Sequence, residues 1–249
     1  MTGSLTDDLL NGLPEGRVLE VAIGLHWTGV VAEVAGERRC GLATTLRHAG
    51  HTHGEYDVPD AGRLTGFKAR ALAALAHQAG PQRSLGFAAI NALLPRTPAR
   101  WVDANAADVI AERGAGRTVA LVGHFPFVEV LRPRVGTLHV LEQNPLPGDL
   151  PAEAAAEVLP AADVVAITGL TLLNGTFEEL IGLCAPEATV LVLGPTTPLH
   201  PALFARGVDL LSGAVVEDID AVMTALREGA NFRQLHRAGV RLVTMGRGM

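Results

Sequence analysis

The sequence predicts an α/β fold in which a small, strand-rich α+β unit is followed by a parallel sheet flanked by helices. Three observations carry this. Short apolar runs at 118–122, 135–141, 163–168, 189–193, 208–211 and 240–245 alternate with helical stretches near 125–132, 151–158, 174–184, 200–206 and 218–228. Strands that are short and apolar throughout, with helices between them, belong to a parallel sheet covered on both faces. Upstream, runs at 17–25, 28–35 and 38–43 are rich in Val, Leu and Ile, and Gly36-Glu37 between the last two is a hairpin signal. The chain has 249 residues, 48% of them hydrophobic and 18% charged, enough to bury a real core as one large domain or two small ones.

The elements follow in order. After the hairpin, residues 44–61 lose periodicity and read as an extended loop. Leu64, Phe67, Ala71 and Leu75 keep the 3–4 spacing of an amphipathic helix, which Gly80-Pro81 breaks. A second helix, 82–94, stops before Pro95. Residues 95–105 hold two prolines and little periodicity, which makes them the expected domain boundary: 1–103 for the first unit and 104–249 for the second.

Charge and composition narrow the partners. The net charge of −6 and the absence of an Arg cluster exclude a general nucleic-acid binder. No apolar run approaches the roughly 18 residues of a membrane span. Asp7 and Asp8 stand where a signal peptide would carry basic residues, so a cytoplasmic protein is expected. Cys40 and Cys184 match no paired zinc spacing, consistent with a reducing compartment. The expected partner is a small molecule or metal ion; a homo-oligomer is left open.

In an open parallel sheet, ligands bind beyond the C-terminal strand ends. Four runs here end in Gly followed by polar or Pro-rich residues: VGHFPF (122–127), ITGLTLLNGT (167–176), LGPTTPLHP (193–201) and LLSGAVVED (210–218). They nominate Gly123, Thr168, Gly169, Asn174, Gly175, Thr176, Gly194, Thr196 and Thr197 as ligand-binding residues. The same residue types also serve ordinary turns and helix caps, so Asn174 reads equally as a cap. Glu142 closes the second strand, 19 positions after Gly123, where an acidic residue would grip a ribose hydroxyl. The glycine fingerprint of dinucleotide folds is missing, and Phe125, Pro126 and Phe127 would crowd a pyrophosphate, so NAD and FAD are disfavoured. An adenosine ligand without pyrophosphate, such as S-adenosylmethionine, stays open.

His48, His51 and His53 in HAGHTH, with Cys40 upstream and Glu55 and Asp57 downstream, are metal-ligating types that a flexible loop could gather, although their spacing fits no compact site and such an acidic, histidine-bearing loop is usually just solvated. Cys184 reads as a buried apolar residue, and His124 and His200 fall in strand-end loops. Only Ser4, Ser84 and Ser212 exist, none in a nucleophile's context, and no catalytic residue can be named.

The stretches VAIGLHWTGVV, CGLATTL, LGFAAINALL, VALVGHFPF, ADVVAITGLTLLNGT, LGPTTPLHPALFARGVDLLSG and GVRLV resemble the putative heavy-metal chelation family. That resemblance implies an enolase-N-terminal-like α+β domain joined to a Rossmann-like domain, and a metal-handling role with the ligand in a cleft between them. An enzyme of transferase type, using an adenosine cofactor at the same strand ends, is the alternative.

Overall fold

The computed structural model describes residues 3–47 and 57–248. His48, His51 and His53 lie outside the described residues. Ser4 opens helix α1 (Leu5–Leu10): its hydroxyl accepts from the Asp7 N–H while the Asp7 carboxylate accepts from the Ser4 N–H, satisfying two helix-end donors reciprocally. The sequence reading had missed this helix.

Strands β1 (Arg17–Ile23), β2 (Trp27–Val34) and β3 (Glu37–Thr44) form an antiparallel meander in that order. The β2–β3 turn is Ala35-Gly36, one residue before the expected pair. Their φ angles of 53° and 82° are both positive, as the tight turn that matches strand twist requires. Helix α2 (Ala69–Ala73) runs into a 3-10 turn at Ala74–His77, and α3 (Gly80–Leu93) lies across the meander. The helix expected from Leu64 onward starts only at Ala69, because the chain before it pairs with β1. The Val18 N–H donates to the Phe67 carbonyl and the Gly66 N–H to the Val18 carbonyl. Two glycines let α3 settle. A Cβ on Gly41 of β3 would stand 2.2 Å from both the Ala88 carbonyl oxygen and the Ala92 nitrogen, and one on Gly86 would stand 2.1 Å from the Ala76 nitrogen.

The second half begins with α4 (Ala106–Gly114), β4 (Thr118–Val122), α5 (Val128–Leu131), β5 (Thr137–Glu142), the short β6 (Leu150–Pro151) and α6 (Ala155–Val158). It continues with β7 (Val164–Thr168), α7 (Leu170–Asn174), α8 (Phe177–Leu183), β8 (Thr189–Leu193), α9 (Ala202–Ala205) and β9 (Leu210–Val216). It closes with α10 (Ile219–Arg227), α11 (Phe232–Gly239) and β10 (Val240–Gly246). The sheet order is β10-β9-β8-β7-β4-β5-β6. All neighbours are parallel except the edge strand β10, which runs antiparallel to β9. The chain therefore leaves β4 toward β5 on one side and returns to β7 on the other. That reversal opens a crevice between the carboxyl ends of β4 and β7.

Two expectations need correction, and one helix is unforeseen. The run expected at 208–211 is β9, which continues through Ser212 and Gly213 to Val216. Gly213 pairs with Val243 in mid-strand, so LLSGAVVED is not a strand-end loop. The helix expected at 174–184 is α8, which starts only at Phe177, because the residues before it end a further helix, α7, that Gly175 stops with a left-handed φ of 83°. Helix α11 had no counterpart in the reading at all.

The core is continuous across the two halves. Val30, Ala43, Phe87, Ile90 and Leu93 share one apolar cluster with Val165, Ile167, Leu211 and Met245. The other face of the large sheet packs Leu121, Val140, Ala166 and Leu191 beneath α4. Among the described residues no helix is long and apolar enough to cross a membrane.

Candidate functional site

The crevice at the strand reversal is a cavity of about 420 Å³, lined by side chains from residues 122–183. Gly123, Glu142, Thr168, Asn174 and Thr176 all line it. They arrive together because β4, β5 and β7 are parallel neighbours and so end at one edge. Gly169 and Gly175 stand next to lining residues but do not line it themselves. The Gly169 N–H donates to the Leu193 carbonyl, and a Cβ on Gly169 would stand 2.6 Å from the Thr197 hydroxyl oxygen. The remaining nominated residues stand elsewhere. Gly194 lines a different cavity. Thr196 is buried and bonds Thr44, its Oγ1 lying 3.0 Å from both the Thr44 nitrogen and the Thr44 hydroxyl. Thr197 is buried with its hydroxyl unpartnered and borders a pocket of only about 40 Å³ between the halves. Asn91 bridges the Leu42 and Thr196 carbonyls, and Arg83 donates to the Leu173 carbonyl, so the contact between the halves is largely filled.

Two nominated side chains are engaged locally. The Asn174 carbonyl oxygen accepts from the Thr176 N–H at 3.1 Å and from its hydroxyl at 2.8 Å, fixing the turn that starts α8. The Glu142 carboxylate accepts from the His124 N–H at 2.9 Å and from the Gln143 N–H at 2.7 Å, tying the β5 end to the loop after β4.

The sequence reading placed His124 at a strand end but missed its partner. The His124 Nδ1 lies 2.8 Å from an oxygen of Asp149, whose side chain is 1% exposed and also accepts from the Leu146 N–H. A carboxylate is an acceptor only, so it holds the proton on Nδ1 and leaves the Nε2 lone pair of the neutral ring available. No local spacing signals this pair, because 25 residues separate the two and only the turn before β6 returns Asp149 to β4. Among the described residues, the other ionisable groups of the crevice are Glu142, Glu153 and Glu179, and no Lys or Arg lines it. A concave surface with carboxylates and one oriented imidazole attracts a cation. Among the described residues no three His, Cys, Asp or Glu side chains form a metal cage.

Neither thiol belongs to this site. Cys40 is buried on β3 with its sulfur 3.9 Å from that of Met223, and burial pushes its thiol up to about 12. Cys184 ends α8 half-buried, and the same desolvation pushes it up to about 11. Both stay protonated near neutrality, and neither lines the crevice. His200 sits at the start of α9, where its Nδ1 accepts from the Ala202 N–H at 3.1 Å.

Comparison with known proteins agrees with this architecture. Two family models match, both described as "Putative heavy-metal chelation": one over residues 6–94, the other, DUF364, over 105–245. A crystal structure of a DUF364 protein of unknown function from Desulfitobacterium hafniense superposes with a TM-score of 0.81 at 27% identity, covering 97% of each chain. A DUF364 protein of unknown function from Pyrococcus horikoshii has the same fold, with a TM-score of 0.80 at 20% identity over 97% of this chain and 98% of its own. An uncharacterised protein of Methanocaldococcus jannaschii is 26% identical over 224 residues, 85% of this chain and 83% of that one. With more than half of its residues matched by that one model, the chain belongs to the DUF364 family, described as putative heavy-metal chelation.

Proposed function

We propose that this protein is a metal-handling protein that binds a metal ion, free or as a complex, in the crevice between the ends of β4 and β7. The observation that carries this reading is the His124 ring, oriented by the buried Asp149 carboxylate at an acidic crevice. A histidine whose second nitrogen is held by a carboxylate is the usual arrangement of a metal-ligating imidazole. The described residues fit an open site rather than a closed structural one. His124 supplies a nitrogen donor, Glu142 and Glu179 supply negative charge, and further coordination positions fall to other groups. An incomplete protein shell suits a metal that must be taken up and released. Gly123, Thr168, Asn174 and Thr176 shape the remaining wall. His48, His51 and His53 remain candidate donors from the HAGHTH segment.

The test is calorimetric titration with Zn²⁺, Co²⁺ and Ni²⁺, ions that imidazole suits. His124→Ala is expected to abolish or strongly weaken binding, with circular dichroism and Tm confirming the fold. The triple variant His48→Ala, His51→Ala, His53→Ala reports separately on that segment. Binding that survives His124→Ala and disappears in the triple variant would move the site out of the crevice.

The competing reading is a transferase-like enzyme with S-adenosylmethionine or another adenosine ligand in the same crevice. The strand order about the reversal and the position of Glu142 at the end of β5 favour it. The Glu142 carboxylate, already occupied by the His124 and Gln143 N–H groups, weighs against it. A thermal shift with S-adenosylmethionine and none with metal would favour the enzyme.

A further inference from the structure

A second cavity, of about 790 Å³, opens beside the crevice, and Phe125 lines both. It too lies at the carboxyl edge of the sheet, against Leu193-Gly194-Pro195 after β8 and Phe125-Pro126-Phe127 after β4. Its size falls within the range of small-molecule sites. Its body is apolar. Phe125 and Phe127 stack with ring centres 5.2 Å apart and planes 18° apart. Phe232 and Leu242 line it further on, and Val130 stands 62% exposed at its edge. Few polar groups are free inside: the Ser212 hydroxyl pairs with that of Thr244 at 2.8 Å, and the Asn231 side chain caps α11.

The rim carries charge of one sign. Arg233, His236 and Arg237 share a face of α11 at helical spacing and are exposed. The one acidic lining residue, Asp108, is engaged by Arg134 at 2.8 Å. Arg233 and Arg237 have no ion pair among the described residues, on a chain whose net charge is −6. An acidic protein that concentrates unpaired guanidinium groups at the mouth of an aromatic groove selects an anion with an apolar body. The guanidinium fork matches a carboxylate, and the rings match a planar body.

We propose that this groove binds a small aromatic carboxylate, with the ring system over Phe125, Phe127 and Phe232 and the carboxylate at Arg233 and Arg237. The proposal does not depend on metal binding in the crevice. The test titrates 1-naphthoate and the uncharged isostere 1-naphthamide into the full chain. Naphthoate is expected to bind at least about ten-fold tighter, with the preference falling as salt rises. The double variant Arg233→Gln, Arg237→Gln changes only exposed residues and is expected to erase the preference while leaving naphthamide binding. Val130→Glu adds a like charge at the edge and is expected to weaken naphthoate alone. Equal affinity for the two probes, absence of saturable binding, or a preference that survives the double variant would overturn the proposal. So would a solution dimer that Val130→Glu dissociates, because the groove would then be covered by a second copy.

Discussion

At the scale of single residues, the chemistry turns on one pair. Asp149 acts through His124, as a positioning residue. Asp149→Asn keeps shape and removes the charge that fixes the ring tautomer. We expect metal affinity to fall about 10–100-fold, as for the loss of an outer-shell partner, with the ion still bound by His124; titration calorimetry reads this directly. An unchanged affinity would show that the pair is only structural. Asn174→Ala separates cap from ligand. Its carbonyl oxygen already serves Thr176, so the variant should lose about 0.5–2 kcal/mol of stability in urea unfolding while metal affinity holds. His200 gives a pH signature. Burial holds its pKa below the ordinary value of 6.5, and its Nδ1 must stay unprotonated to accept from Ala202. The unfolded chain therefore binds the proton more readily, and stability rises with pH across the range of that residue. The contribution is complete above about pH 6.5 and is lost as pH falls toward the lowered folded value. His200→Asn should flatten the dependence of Tm on pH in that window. Of these residues, Glu142 and Asn174 were legible, since each ends or follows an apolar run. Asp149 was not, because its partner is set by a turn rather than by spacing.

At the scale of elements, what the sequence declares best is periodicity, and what it hides is whatever packing overrides. The strands β4, β7 and β8 stand where apolar runs predict them. Helix α2 is shorter than its periodicity because the chain before it is drawn onto the edge of β1. Strand β9 outruns its apolar core because Gly213 lets the Thr197-to-Leu199 segment lie against it, where a Cβ would stand 2.9 Å from the Thr197 carbonyl oxygen. Of the helices the sequence pattern does not predict, α1 and α11 carry reciprocal caps that are legible in it: Ser4 with Asp7, and Asn231 with Gln234. The packing of α3 on the meander offers a sharp test. Both near contacts of a Cβ at Gly41 are backbone atoms, which cannot rotate away. Gly41→Ala should cost about 1–3 kcal/mol or more, seen as a lower urea midpoint with the metal site still competent in the folded fraction.

At the scale of the whole molecule, strand order places the chemistry. The reversal between β4 and β7 brings Gly123, His124, Glu142 and Thr168 to one edge, and the same edge carries the arginine-rimmed groove on the far side of Phe125. The sequence foretold the edge but not its division into an acidic crevice and a basic groove, because α11, which supplies Arg233 and Arg237, was not foreseen. The small meander packs its core against the large sheet, so the boundary expected near 103 separates sequence patterns whose side chains nevertheless bury one another. The central claim is that His124 binds metal through Nε2. Histidine side-chain nitrogen NMR during a Zn²⁺ titration tests it, since the chain has nine histidines and His124→Gln identifies the resonances of one. The expected result is that the His124 Nε2 resonance moves on metal binding while its Nδ1 stays protonated against Asp149. Zn²⁺ that shifts other histidine rings and leaves the His124 resonances in place would contradict it.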